Sequence, residues 1–527
     1  MFRKIIVALG ILLLTGLPVS ASHYMGGEII WECLPNGNFR FILKVYRECG
    51  GILYPTTAGI SMTSNSPAGT IQMRLWPNAV QGIKDISPQC NPDPLFFHIK
   101  CLNTSPPQPS NQGAVEEWTY TTDQIYPNGV TLNGVPPPSG WVFAYTSCCR
   151  NPCTNINAAS TKSWYVRAIM YPYNNTNTYP CWDDSPTFYE KPSTVICTGY
   201  PFTYNHNAYD KQLDSLTYEW DTPLETGLSS PITGWNAGYS YSSPLPGTFH
   251  NPQNVNATVN PYTGEISFTS HTQGAFITVT KVTAYKCGIK IAEVFREMQI
   301  VLLACGGSGS NDPPDVTAPF FDTTTMTWSK YIDTVYAGAV VNFYFTALDT
   351  TPLILANGQL TSVTLTATGS QFGLGYSSTL TGCLNPPCAT LNPPPPISQV
   401  MGLNTQFTWQ TTCAHLETQT GCGGTSNVYN FILKAQDDFC PAPGINVSTI
   451  TVVVRNAILG PPSLRCISVE PNGNVILDWE GPDTTKIPNT LESYHIYTAI
   501  NPNGPFVLLD SVFGYNNTTY THVGANA

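Results

Sequence analysis

The sequence predicts an all-β protein, with tandem immunoglobulin-like and fibronectin-like β-sandwiches behind a cysteine-rich β region at the N-terminus. Short runs of alternating apolar and polar residues, bounded by Gly, Pro and Asn, recur along the chain without a helical period. Glycine and proline supply 42 and 46 of the 527 residues, which is typical of loop-rich β structure. All 17 cysteines lie beyond residue 32, a distribution typical of a disulfide-stapled exported chain.

Residues 1–21 predict a secretory signal peptide. Residues 1–4 carry basic side chains, residues 5–14 are apolar, and residues 19–21 supply the small side chains of a cleavage site. No later apolar stretch reaches the length of about 18 residues that a transmembrane helix needs. We therefore expect no transmembrane segment, and a secreted or cell-surface protein whose mature chain begins near Ser22.

The net charge of the chain disfavours some classes of binding partner. Its formal net charge is −11, and removal of Arg3 and Lys4 with the signal peptide makes it about −13. An acidic surface disfavours nucleic acid and anionic membranes, so we expect neither as a partner. The same acidity is compatible with a bound cation.

The cysteines predict structural disulfides. Their odd total leaves at least one thiol free, or paired with residues outside this sequence. Zinc is the alternative, but the sequence has no CxxC pair and no histidine pair at ligand spacing. Adjacent Cys148 and Cys149 are expected to reach different partners, because a ring that joins neighbouring cysteines is strained.

Residues 22–190 form the predicted cysteine-rich β domain, and residues 191–305 form the first sandwich module behind it. The module contains a turn at residues 260–264 and two long β-type runs before residue 305. We expect a disulfide between Cys197 and Cys305 to join its first and last strands. That pairing leaves Cys287 to pair elsewhere or to stay free.

Residues 306–315 predict a linker, because they are rich in Gly and Ser and end in two prolines. Residues 316–456 predict a second module of the same kind, in which residues 340–349 parallel residues 202–210. Two local loop disulfides are expected in this module, and the paired residues are Cys383 with Cys388 and Cys413 with Cys422.

Residues 461–527 predict a fibronectin type III module that is incomplete. Residues 474–479, 494–497 and 506–509 resemble its B, C and C′ strands, with Trp479 as the core aromatic residue. Two further strands would be needed to close such a sandwich. We therefore expect this module to be poorly stable alone, and further domains of a longer chain to follow.

Several motifs of the sequence resemble those of a known family. These motifs are Ser22-His-Tyr-Met-Gly-Gly-Glu-Ile-Ile30, Lys44-Val-Tyr-Arg-Glu-Cys-Gly50, Cys148-Cys-Arg-Asn151 and the run from Asp210 to Leu216. They resemble large secreted surface proteins of gliding Bacteroidetes. The resemblance implies PKD-like or cadherin-like modules, fibronectin type III modules and a gliding-motility-associated C-terminal domain for secretion and surface attachment. In the last run, Gln212-Leu213 replaces the family's Asp-Gly.

The sequence predicts no required cofactor, and calcium is the ligand that its residues could bind best. Asp210 and Asp214, with Asn205 close by, could supply hard oxygen ligands where a strand meets a loop. The alternative is an Asx-turn that only ends the strand. Asp437-Asp438 is a weaker candidate for the same kind of site.

Aromatic residues suggest a second kind of site. Among the 28 Tyr and 11 Trp residues, Trp182 and Trp235 lie near Pro, Asn or Gly and are candidates for exposed platforms that stack on sugar. The alternative is that such loop aromatics are packed lids over a core.

The sequence predicts that the chain is not an enzyme. It has no HExxH, nucleophile-elbow, P-loop or GxGxxG motif. The carboxylate pairs Asp183-Asp184 and Glu116-Glu117 are adjacent in sequence, so they do not face each other as glycosidase carboxylates must.

These observations predict a secreted or cell-surface structural and adhesive protein, linked to gliding motility or surface attachment. Its expected partner is a cell-surface or extracellular polymer, either a glycan or a protein. The alternative is a carbohydrate-binding accessory module of a polysaccharide-processing surface protein.

Overall fold

β-Strands make up nearly all the regular structure of the chain. The computed structural model describes residues 24–51, 53–56, 58–76, 82–88, 101, 113–174, 183–192, 195–304, 312–354, 358–372, 382–416, 426–439, 443–456, 462–482, 491, 493–501 and 504–525. Within these residues there are 33 strands, two short 3-10 helices at Ala159–Thr161 and Cys413–His415, and no α-helix. The predicted all-β fold class is confirmed.

The first region and the first sandwich module together contain 17 strands. These are β1 (Tyr24–Cys33), β2 (Phe39–Glu48), β3 (Ile60–Ser64), β4 (Thr70–Leu75), β5 (Ile83–Asp85), β6 (Val115–Thr121), β7 (Trp141–Ser147), β8 (Trp164–Met170), β9 (Thr187–Phe188), β10 (Val195–Cys197), β11 (Pro201–Asn205), β12 (Ala208–Tyr209), β13 (Ser215–Trp220), β14 (Val255–Val259), β15 (Glu265–Thr269), β16 (Gly274–Lys286) and β17 (Ile289–Leu303).

Eight antiparallel strands of this set form a closed ring. The pairings run from β1 through β2, β6, β4, β3, β7 and β8 to β17, and β17 pairs again with β1. The ring is filled by apolar side chains that alternate along these strands. Trp31, Trp118 and Trp164 are among its fully buried residues, and the Tyr24 ring stacks on Trp164 with centroids 3.6 Å apart.

Strand β17 belongs to the ring and to the first sandwich module at once. Beyond its pairings with β8 and β1, it pairs along most of its length with β16, which in turn pairs with β13. At the crossing with β1, a Cβ atom on Gly26 would lie 2.1 Å from the Glu297 carbonyl oxygen, so only glycine fits there. One sheet therefore crosses the domain boundary predicted at residue 190.

Two buried ion pairs connect β17 with other parts of the first region. Arg296 binds Glu28 of β1, and Arg150 binds Glu297, with all four side chains almost completely buried. Because both partners of each pair are removed from water, loss of either one would leave an uncompensated charge inside the protein.

A separate three-stranded sheet, β11-β15-β14, covers the other side of the first sandwich module. Its inward residues Phe202, Tyr204, Ile266 and Phe268 pack on Phe276 and on the end of β17. The first and last strands of the module, β10 and β17, pair in parallel, with Cys197 opposite Leu303.

The second sandwich module consists of two main sheets and a hairpin. Its strands are β18 (Asp315–Val316), β19 (Phe320–Asp322), β20 (Thr327–Lys330), β21 (Ile332–Tyr336), β22 (Val340–Leu348), β23 (Ser362–Thr368), β24 (Thr390–Asn392), β25 (Ile397–Val400), β26 (Gly402–Gln410), β27 (Ser426–Gln436) and β28 (Ile445–Arg455). The sheets β18-β22-β26-β24 and β21-β28-β27-β23-β25 enclose an aromatic core around Phe407 and Phe431. The hairpin β19-β20 stands outside both sheets.

The last module has strands β29 (Ser463–Val469), β30 (Val475–Glu480), β31 (Ser493–Thr498), β32 (Val507–Phe513) and β33 (Thr519–His522). They form the sheets β29-β30-β33 and β31-β32, and Trp479 packs on Tyr494 between them with ring centroids 5.0 Å apart. Strand β29 is exposed along its whole length. This module buries far less apolar surface than the module before it.

The cysteines follow the predictions only in part. Cys383 is bonded to Cys388, and Cys49 to Cys101. Cys413 is an exposed free thiol, so the expected bond to Cys422 is not formed. Cys413 lies in a 3-10 helix that the Thr412 and His415 side chains cap, whereas Cys422 lies outside the described residues.

The prediction for the adjacent cysteines was wrong, because Cys148 is bonded to Cys149. Their peptide bond is cis, and their Cα atoms are 3.0 Å apart. Cys197 and Cys287 are both disulfide-bonded, and Cys305 lies outside the described residues. The proposed Cys197–Cys305 bond therefore stays a prediction. Among the described residues, no helix is long and apolar enough to cross a membrane.

Candidate metal centre

Asp210 starts a tight turn between β12 and β13. Its Oδ1 atom accepts the backbone N–H of Gln212 at 2.9 Å and that of Asp214 at 3.1 Å. This is the Asx-turn that the sequence offered as the alternative to calcium. The turn uses only one oxygen of Asp210, so it does not exclude a ligand on the other.

Two further carboxyl groups reach the same place. Asp214 follows in the turn, and Asp183 comes from the end of the first region. One oxygen from each of Asp183, Asp210 and Asp214 can be chosen so that all three lie within 4.8 Å of one another. Each residue is at most 5% exposed.

Lys286, at the end of β16, supplies the positive charge at this cluster. Its Nζ atom lies 2.7 Å from Asp214 Oδ2 and 3.2 Å from Asp183 Oδ1. With all groups ionised, one ammonium faces three carboxylates, and two negative charges remain uncompensated. A buried site cannot retain that excess without a cation or protons.

Three oxygen atoms of the cluster lack hydrogen-bond partners. Within the part of the chain that the structure describes, Asp183 Oδ2, Asp210 Oδ2 and Asp214 Oδ1 are buried and accept no hydrogen bond. Buried polar atoms are nearly always paired, so three such oxygens in one cluster are acceptors that a cation or protons could satisfy.

The electrostatics of the cluster agree with this charge imbalance. Burial and the neighbouring Asp214 carboxylate raise the pKa of Asp210 to about 8. Burial, with the Asp210 carboxylate next in importance, also raises the pKa of Asp183. Burial alone would lower the pKa of Lys286, but the Asp183 and Asp214 carboxylates outweigh it and raise that pKa.

Asn205 makes hydrogen bonds outside the three carboxylates, and its role as a ligand stays a prediction. Its Oδ1 atom accepts the backbone N–H of Asn207, and its Nδ2 atom donates to Thr263 O and Thr449 Oγ1. The amide therefore serves the contact with the following module. Asp183 was not among the predicted ligands, and the sequence signal for it was the Asp183-Asp184 pair, considered above only for glycosidase chemistry.

The two residues that replace the family's Asp-Gly pair have separate roles. Gln212 Nε2 donates to Asp184 Oδ2 at 2.6 Å, which ties the turn to the segment that carries Asp183. Leu213 adopts a φ of +63°, a conformation that glycine takes more easily. Its side chain packs against the core of the second sandwich module.

The carboxylates of Asp437-Asp438, the weaker candidate for a cation site, have different hydrogen-bond partners from those of the Asp210 cluster. Asp437 Oδ1 accepts the backbone N–H groups of Phe439 and Gly444, both at 3.0 Å, and Asp438 Oδ1 accepts that of Ser362 at 2.9 Å. No second group of three acidic residues forms around them among the described residues.

One of the two tryptophans predicted as sugar platforms is among the described residues. Trp182 lies outside the described residues. Trp235 is half-buried, pairs with Ile156 through an isolated bridge and packs against a small core with Ile232 and Ile277. Its arrangement is that of a packed lid.

No sequence model of a known protein family matches this chain, and no curated protein matches it either. Its solved structural neighbours include a chaperone–tip adhesion subunit complex from Csu pili of Acinetobacter baumannii. The two chains share 12% identity with a TM-score of 0.15, and the match covers 37% of this chain and 88% of that chain. Chicken CNTN1 FN1–FN3 domains share 11% identity over 59% and 85% of the two chains, with a TM-score of 0.13. Zebrafish RET cadherin-like domains 1 to 4 share 13% identity over 88% and 90%, with a TM-score of 0.15.

Proposed function

We propose that this chain is a secreted or cell-surface structural and adhesive protein, whose β-modules form a stalk stiffened by a divalent cation. The observation that carries the proposal is the sharing of β17 between the closed ring and the first sandwich module. A strand held on both sides by hydrogen bonds resists separation of the units that it joins. Such a joint suits a protein that carries load between a surface and a partner.

The cation site acts on the same joint. Asp183 ends the first region, whereas Asp210, Asp214 and Lys286 belong to the first sandwich module. A cation bound by the three carboxylates therefore bridges the two units. Calcium fits better than magnesium, because it accepts carboxylate ligands in varied geometries and sheds its water more readily.

The resemblance to surface proteins of gliding Bacteroidetes supports attachment or gliding as the setting. The partner of the stalk is an extracellular polymer, either a glycan or a protein. Labelling of intact and permeabilised cells with an antibody to the chain tests the location. We expect equal labelling, and a strain lacking the gene should attach less well to a surface. Labelling only after permeabilisation would contradict the proposal.

Calcium binding is tested on the purified full chain by calorimetry and thermal unfolding, after treatment with a chelator. A hundredfold excess over the dissociation constant should stabilise the protein by about 2.7 kcal/mol and raise its Tm by several degrees. Asp183→Asn and Asp210→Asn should abolish the effect. Asp349→Asn, in the corresponding turn of the second sandwich module, should leave it unchanged.

A calcium effect that survives Asp210→Asn would place the site elsewhere. An absence of calcium binding would leave protons as the charges that complete the cluster. Neither result would change the cell-surface test, so failure of the stalk proposal and failure of the cation site are distinguishable.

A further inference from the structure

A groove of about 310 Å³ lies between the two sandwich modules. Strand β11 and the turn before β15 form one wall, and β21 and β28 form the other. Its volume is at the lower end of the range for small-molecule sites, about 300–1,000 Å³. It is separate from the acidic cluster, whose residues do not line it.

The two walls are hydrogen-bonded to each other. Thr203 Oγ1 donates to Val447 O at 2.5 Å, and Asn205 Nδ2 donates to Thr449 Oγ1 at 3.2 Å. The groove is therefore a formed feature of the module interface. A ligand seated there contacts both modules at once.

The lining combines hydroxyl, amide and carboxylate groups with apolar side chains such as Ile332 and Ile445. Thr203, Asn260 and Glu265 face the groove from one module, and Tyr331, Ser448 and Thr449 face it from the other. Ser448 Oγ is buried, and the hydroxyl nearest to it is that of Tyr331. The two hydroxyls lie on the same wall of the groove.

The lining excludes several ligand classes. No Lys, Arg or His is among the described lining residues, so an anionic ligand would find no charge partner. Glu265 is the one carboxylate, too few for a divalent cation. An apolar ligand would leave the buried polar groups unpaired. A peptide strand cannot add to β28, which is already paired with β21 and β27.

We propose that this groove binds a neutral saccharide. A neutral sugar offers hydroxyl donors to the Glu265 carboxylate, which Thr449 already contacts, and acceptors to the Nδ2 group of Asn260, whose Oδ1 accepts the backbone N–H groups of Tyr262 and Thr263. Tyr331 supplies an aromatic surface within the groove. Tyr262, in the turn that contributes to the same wall, is 78% exposed. This site lies apart from the tryptophans considered in the sequence and goes beyond the stalk function.

The test is calorimetric titration of the full chain, in excess calcium, with cellotriose, maltotriose, triacetylchitotriose and trigalacturonate. We expect at least one neutral trisaccharide to bind with a dissociation constant of about 1 mM or lower, and trigalacturonate to bind at least tenfold more weakly. Glu265→Gln should weaken binding about tenfold, since it removes the charged acceptor. Glu219→Gln, at an exposed site on β13, is the matched control.

A filling variant separates loss of the groove from loss of folding. Ile332 lines the groove and is 52% exposed, so Ile332→Trp should occupy it and abolish binding without a change in Tm. Val340 is 56% exposed outside the groove, and Val340→Trp should bind normally. Binding that persists in Ile332→Trp, a preference for trigalacturonate, or no neutral trisaccharide bound would each overturn the proposal.

Discussion

Each sandwich module has an aspartate in the corresponding turn, and the two aspartates have different hydrogen-bond partners. Asp210 and Asp349 each follow a strand, and each accepts a backbone N–H two residues further on, from Gln212 and Thr351. The second oxygen of Asp349 accepts the Thr361 hydroxyl at 2.7 Å. The second oxygen of Asp210 has no partner among the described residues.

The difference shows that an Asx-turn does not by itself make a cation site. At Asp349 the neutral Thr361 hydroxyl donates a hydrogen bond to the second carboxylate oxygen, so the turn has only a structural role. Around Asp210, Asp183 and Asp214 add two more carboxylates that a single lysine cannot balance. The module that carries this cluster of acidic residues is the one joined to the ring through β17.

The largest effect is expected from removal of the lysine. In chelator, Lys286→Met leaves three buried carboxylates without an internal cation, and it should lower the free energy of unfolding by about 3–5 kcal/mol. Calcium should restore much of that loss and should bind more tightly than to the wild type, because its competitor is gone. Chemical unfolding with and without calcium measures both effects.

The control is Lys330→Met. Lys330 pairs with Asp322 at 3.0 Å, but its side chain is 46% exposed. Exposed pairs contribute about 0–1 kcal/mol, so this variant should be nearly neutral. Equal effects of the two substitutions would mean that the cluster of acidic residues has no special electrostatic cost.

The next effect concerns pH in the absence of metal. The pKa of Asp210 is raised to about 8 by burial and by Asp214, whereas an unfolded aspartate titrates near 3.9. Between these values the folded state binds more protons, so the free energy of unfolding falls as pH rises through this window. We expect the difference in the free energy of unfolding between wild type and Asp210→Asn to change by about 3–4 kcal/mol from pH 5 to pH 8.

Calcium should remove this pH dependence, because it replaces the protons that the folded state would otherwise bind. Asp349→Asn is the control, and it should keep the slope of the wild type. A wild-type slope that Asp210→Asn leaves intact would show that other groups govern the dependence on pH.

The paired substitutions at the two turns should have opposite signs in chelator at pH 8. Asp349→Asn weakens the acceptor for the Thr361 hydroxyl and should cost about 1–2 kcal/mol. Asp210→Asn removes one of three crowded charges and should be neutral or stabilising. With calcium present, Asp210→Asn should become destabilising, because the cation is lost. Matching signs under both conditions would contradict the comparison.

Much of the fold was predictable because alternation of apolar residues is a local signal. The strand that contains Val294, Met298 and Ile300 follows directly from its period of two. The pairing of the same strand with β1 joins residues far apart in sequence, such as Gly26 and Met298, and no local pattern encodes it. The shared strand, and with it the joined domains, was therefore missed.

The cluster of acidic residues, like the fold, was predictable only where its residues are close in sequence. Asp210 and Asp214 belong to one turn, so their proximity follows from the sequence alone. Asp183 and Lys286 reach the cluster from segments far from the Asp210 turn in sequence, and Lys286 contacts both Asp183 and Asp214. Local motifs indicated where a cation could bind, and long-range pairing determined which residues would hold it.

The smallest effect tests the backbone of the Asp210 turn. Leu213 has a φ of +63°, which costs a residue with a Cβ atom about 1 kcal/mol more than glycine. Leu213→Ala and Leu213→Gly both lose the contact with the second sandwich module, but only glycine relieves the backbone. The glycine variant should therefore be about 1 kcal/mol more stable than the alanine variant by chemical unfolding. At Leu216, on β13, the order should reverse, since a glycine inside a strand is unfavourable. If alanine were the more stable at both positions, the turn would not hold the left-handed conformation that brings Asp210 and Asp214 together.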